Sequence, residues 1–207
     1  MSVGLGELPS RLRLATLLAV LLSGLCGLSS AWEGFSLVRF GELKQPQGPS
    51  PLAPDPVLAE QLRLAQVLAV EPVREPRMVV LFALALTCSL GFVASTRLLR
   101  PAGLPREGVR RILVWALVAA AALRTIDGAQ SAALAPSTAD VLRRGLTLPQ
   151  GTSTAAAQQM RDMVTPAVLF TYILWTVLVA GPFLLLSQYF RSPRVKEWVA
   201  TADARPT

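Results

Sequence analysis

Two charged side chains, Arg124 and Asp127, stand inside a stretch that is otherwise apolar. On a helix, residues three apart lie on one face within pairing distance, and Gln130 and Ser131 prolong the polar patch. An ionised group at the centre of a membrane span costs about 2.5–3.5 kcal/mol on insertion scales, so such groups pair or serve a ligand, an ion or a partner. The chemistry open to Arg124, Asp127 and Gln130 is therefore electrostatic. They make a candidate intramembrane polar site that ties helices together, contacts a partner or lines a path for a small solute.

Bond-making chemistry finds no support. The chain has no histidine, which removes the commonest general base and metal ligand. Cys26 and Cys88 both fall inside apolar runs, where thiols act as small packing groups. No nucleophile elbow, phosphate loop or metal-ligand spacing occurs. Catalytic residues, cofactors and metal ligands are accordingly expected to be absent. Asp127-Gly128 shares a dipeptide with the membrane CDP-alcohol transferases. Ser131-Ala132 stands where that motif has Ala-Arg, however, and Arg124 where it has aspartate. The motif is not met.

The elements that must position the polar pair follow from composition. Of 207 residues, 52% are hydrophobic and only 16% charged, against about 25% charged in soluble domains. Charges delimit three long apolar runs, Leu14 to Trp32, Met78 to Thr96 and Met163 to Phe190. Each suffices for a hydrocarbon core of about 30 Å, which takes ~20 residues. A fourth run, Ile112 to Leu123, reaches that length only by continuing through Arg124 and Asp127 to Ala135. The expectation is a single all-α integral membrane domain, residues 1–207. It is a four-helix bundle with spans near 14–32, 78–99, 110–135 and 163–190.

Basic residues set the orientation. With both termini cytoplasmic, eleven of the twenty Lys and Arg lie in short inner segments and nine in outer segments about twice as long. The chain thus reads as a multi-pass protein of a plasma (inner) membrane, with outer segments 33–77 and 136–162. Arginine outnumbers lysine 18 to 2, a bias of GC-rich coding that points to a bacterial source. The net charge of +7 is scattered over run ends, with no aromatic-interleaved basic face, so nucleic acid is not an expected partner. Arg11 and Arg13, then Leu14 to Leu28 and Ser29-Ser30-Ala31, also fit a signal peptide.

The outer segments carry short elements. Gln45 to Pro56 is too rich in proline for helix or sheet. Val57 to Val70 has an amphipathic pattern that predicts a short outer-face helix ended by Pro72 and Pro76. Ser137 to Asp140 matches a capping box. Pro166 and Gly181-Pro182 mark kinks in the last span.

Small residues recur at spacing four: Ala15, Ala19, Ser23 and Gly27; Ala83, Thr87 and Gly91; Ala116, Ala120, Arg124 and Gly128. Such ridges let helix backbones approach closely in lipid. Absent catalytic groups and abundant packing ridges favour a non-catalytic membrane subunit or scaffold. Its partners would be the bilayer and other membrane proteins or copies of itself. A small transporter or channel component using Arg124 and Asp127 is the alternative, and a membrane enzyme the third reading.

Overall fold

The structure is a computed structural model and describes residues 9–43, 45, 56–99, 105–145 and 154–203. Of these, 96% are helical and none is in a strand. The helices are α1 (Ser10–Val38), α2 (Phe40–Leu43), α3 (Pro56–Val70), α4 (Arg74–Leu99), α5 (Arg106–Ala133), α6 (Ala135–Gly145), α7 (Thr154–Arg191) and α8 (Pro193–Asp203). Four of the helical segments are long and apolar enough to cross a membrane, and they contain the four runs marked by the charges. Most of the proline-rich linker and residues 146–153 lie outside the described residues.

The long helices pack in sequence order. Each runs antiparallel to the one before, with α1 on α4, α4 on α5 and α5 on α7, while α1 and α7 scarcely touch. The row bends until its two edges face each other across a groove of about 420 Å³. Only Leu18, Leu21, Leu22 and Leu25 of α1 and Pro182, Leu185 and Leu186 of α7 line it. Inside the bend lies a continuous core that includes Leu12, Leu84, Leu113, Leu117, Phe183 and Phe190.

Small residues occupy the seams. Ala15, Ala19, Ser23 and Gly27 of α1 are buried, as are Gly91 of α4 and Ala116, Ala120 and Gly128 of α5; Ala83 is half-buried. A Cβ at Gly27 would lie 3.0 Å from Cys88 Cβ, and one at Gly91 would lie 3.0 Å from Ser23 Oγ and 3.7 Å from Ala116 Cβ. Gly91 is therefore the point where α1, α4 and α5 meet. At Gly128 a Cβ would overlap the Thr176 side chain of α7, so only hydrogen fits there.

Several helices run past the limits the sequence suggests. The first extends beyond Trp32 through Glu33 to Val38, because Glu33 has a cationic partner on α4 and no need to leave the helix. Its last carbonyls are capped across the fold, where Arg74 Nε donates to Leu37 O at 2.9 Å and the guanidinium lies over the Phe40 ring. Pro72 and Pro76 do not end the helical path of α3. Glu71 to Val73 forms a single 3-10 turn that leads straight into α4. Pro76 falls in the first turn of α4, where a missing N–H leaves no intrahelical acceptor unpaired. α3 packs on α6, which in turn packs on α7, so it docks on the bundle end as a second layer. The capping box is also displaced. α6 begins at Ala135, and Thr138 lies within it, donating its hydroxyl to Leu134 O at 3.3 Å.

Two helices were not foreseen, the single turn α2 and the longer α8. Val195 and Val199 of α8 are fully buried in the main core, with Trp198 packed beside them. Its last residue, Asp203, accepts hydrogen bonds from the backbone N–H of Arg106 and Glu107 at 3.0 and 3.1 Å. A carboxylate thus caps the start of α5, a position that the helix dipole favours.

Candidate polar cleft at the Glu33 end of the bundle

Asp127 of α5 and Arg77 of α4 are the two most deeply buried charges in the cleft. They meet because Arg77 begins the apolar part of an ascending helix while Asp127 lies near the end of its descending neighbour. Arg77 Nη2 lies 2.5 Å from Glu33 Oε1 of α1 and 3.4 Å from Asp127 Oδ1, and Nη1 donates to Ser131 Oγ at 3.2 Å. Arg124 pairs with the other Asp127 oxygen, one turn back on the same helix. Two guanidinium groups and two carboxylates from three helices therefore form a charge-balanced network. Buried charges demand such compensation.

The sequence-marked pair is thus half of a larger set. Arg124 and Asp127 come together as their spacing implies, while Glu33 and Arg77, read from sequence only as span boundaries, complete the network. A retrospective signal exists. The runs Leu14 to Trp32 and Met78 to Thr96 have equal length. Antiparallel alignment of equal runs sets Glu33 opposite Arg77.

A cleft of about 210 Å³ opens beside the network. Tyr172, Trp175 and Thr176 of α7 form its far wall, facing Arg124, Asp127 and Ser131. Its floor is the Gly128–Thr176 contact. Toward the Phe190 end the space is filled by Ala120, Ala121, Leu117 and Phe183, so the cleft does not continue through the bundle. Two buried atoms of the cleft residues make no hydrogen bond among the described residues, Arg124 Nε and Asp127 Oδ1, the latter facing Arg77 only through the 3.4 Å ion pair. Gln130 is half-buried and does not join the ion pairs.

What this arrangement can do is electrostatic. It can hold three helices in register and present donors and acceptors to a polar group that enters between α5 and α7. It offers no nucleophile paired with a base, and among the described residues no group of histidine, cysteine or carboxylate side chains has metal-binding geometry. No known protein family, curated protein or solved structure matches the chain.

Proposed function

We propose that this protein is a multi-pass membrane subunit that works without chemistry of its own, with both termini cytoplasmic, by holding a partner transmembrane helix against α5 and α7. The observation that carries this reading is the state of α7. Of its 38 residues only Ala180, Phe183, Ser187 and Phe190 are buried, all in its final third. Over the preceding part it exposes Phe170, Ile173, Leu174, Trp175, Val177 and Leu178 beside the polar cleft. An apolar surface alone is no signal in lipid. An apolar surface flanking a cleft with unsatisfied buried polar atoms supports a helix that brings its own polar side chain.

Two features weigh on the alternatives. The small-residue ridges are used within the chain, so they no longer speak for a partner as the sequence suggests, and α7 takes over that argument. A conducting path is less favoured because packed side chains close the core below the cleft. Binding of a small polar solute in the cleft is the second reading, supported by Arg124 Nε and Asp127 Oδ1, which make no hydrogen bond among the described residues.

Affinity purification from membranes in a mild detergent tests the proposal. A stoichiometric membrane-protein partner is expected, lost on Trp175→Ala with Phe170→Ala while the variant stays folded. A lone monodisperse chain overturns it. Reporter fusions after residue 150 and at the C-terminus test the orientation, and an outward-facing C-terminus overturns that part.

A further inference from the structure

At the opposite end of the bundle, α5, α7 and α8 enclose a second cleft of about 380 Å³, lined by Arg110, Arg111, Val114, Trp115, Arg191 and Lys196. Among the described residues no carboxylate lines it. Glu107 lies behind, its oxygens taken by Arg110 Nε at 2.7 Å and Arg111 Nε at 2.9 Å. Arg110 is itself fully engaged, with Nη1 donating to Phe190 O at 2.6 Å. The guanidinium of Arg191 lies 5.6 Å above the Trp115 ring, an attraction between cation and aromatic face that fixes its direction. Among the described residues, four cations at the cleft share one carboxylate partner. Like charges held together repel, and an anion between them removes the repulsion.

The depth of the cleft selects the kind of anion. Arg111 is the last charge on α5 before the charge-free run of Ile112 to Leu123, and Arg191 is the first after the charge-free end of α7. Both mark the edge of the apolar zone, where lipid phosphates lie. Trp115 sits one turn deeper than Arg111, about 6 Å along the helix, and is well exposed. Tryptophan at that level is typical of the lipid interface. Basic pockets between spans on the cytoplasmic side bind anionic headgroups.

We infer that this cleft binds the phosphate of an anionic phospholipid, with Arg111, Arg191 and Lys196 as donors and Trp115 against the glycerol and upper acyl chain. The inference rests on the membrane reading above but not on its partner. Recovery of the chain from the membrane fraction is therefore checked first, so that the two readings fail separately.

The test is thermal unfolding and native mass spectrometry of the detergent-solubilised full chain with added phosphatidylglycerol, phosphatidylcholine of the same acyl chains, or inorganic phosphate. Phosphatidylglycerol is expected to raise the melting temperature and to remain bound, while phosphatidylcholine does neither. Arg191→Gln with Lys196→Gln should weaken that binding by roughly tenfold or more, and Arg111→Gln alone by less. Arg39→Gln with Arg161→Gln, at the other end, should leave it unchanged. All the exchanged side chains are exposed, and the melting temperature without lipid verifies that each variant folds. Equal effects of the two lipids, or full binding by the double variant, overturn the inference. Stabilisation by inorganic phosphate at the same concentration reassigns the cleft to a soluble anion and likewise overturns it.

Discussion

The bundle buries one arginine near each end, Arg77 and Arg110, and compensates them differently. Arg77 draws its carboxylates from α1 and α5, so its charge is balanced only when α4 has packed against another helix, and its full set of partners needs three. Arg110 finds its carboxylate at Glu107, one turn back on its own helix, and adds one carbonyl from α7. The first arrangement specifies tertiary structure. The second is mostly present in an isolated helix and asks little of the fold. A buried charge therefore reports on helix assembly only when its counter-charge is distant in sequence.

The largest expected effect comes from breaking the distant set. Asp127→Ala leaves Arg77 and Arg124 without their shared carboxylate and should cost about 3–5 kcal/mol, read as a lower denaturation midpoint in detergent. Double-mutant cycles sharpen the point. Asp127→Ala should couple to both Arg77→Ala and Arg124→Ala, and strict additivity in either cycle would show that pair not to interact.

Next comes the seam beneath the cleft. Gly128→Ala forces α5 and α7 apart and should cost about 1–3 kcal/mol, as overpacking does. Thr176→Ala, which removes the two nearest atoms, should restore part of the loss. At Gly181 a Cβ would meet nothing within 4 Å, so Gly181→Ala serves as the control for that seam. At the other end, Asp203→Ala removes the α5 cap and should cost about 0.5–2 kcal/mol. Hydrogen exchange should then quicken at the amides of Arg106 and Glu107 more than elsewhere; uniform quickening would assign Asp203 a different role. Smallest of all, Gly181→Ala should raise stability by up to about 1 kcal/mol through backbone entropy, and a loss as large as that of Gly128→Ala would contradict the packing described.

Charge-free runs made three of the four long apolar helices legible, because hydrophobic length is a local property, and the other emerged only by reading through Arg124 and Asp127. Arg124 and Asp127 were legible for the same reason, being neighbours on one helix turn. Glu33 and Arg77 were not, since each reads alone as an ordinary flanking charge and only their alignment gives them meaning. The prolines misled in the same direction. Pro72 and Pro76 look like stops, yet both occupy positions where a helical path tolerates a missing N–H. The α8 helix left a short signal in Val195, Trp198 and Val199, spaced as one helix face but brief enough to pass for a tail after Arg191.

The packing order has a consequence for the making of the molecule. Each long helix packs on the long helix just before it in the sequence, so every new one finds its seam already waiting. One closure that breaks this order is the cap on α5, whose amides wait for Asp203, more than ninety residues downstream. Until Asp203 has been synthesised, the start of α5 lacks that cap. The arrival of Asp203 is thus registered at the start of α5, and a chain stalled or cut before that residue would carry an uncapped helix end as its mark.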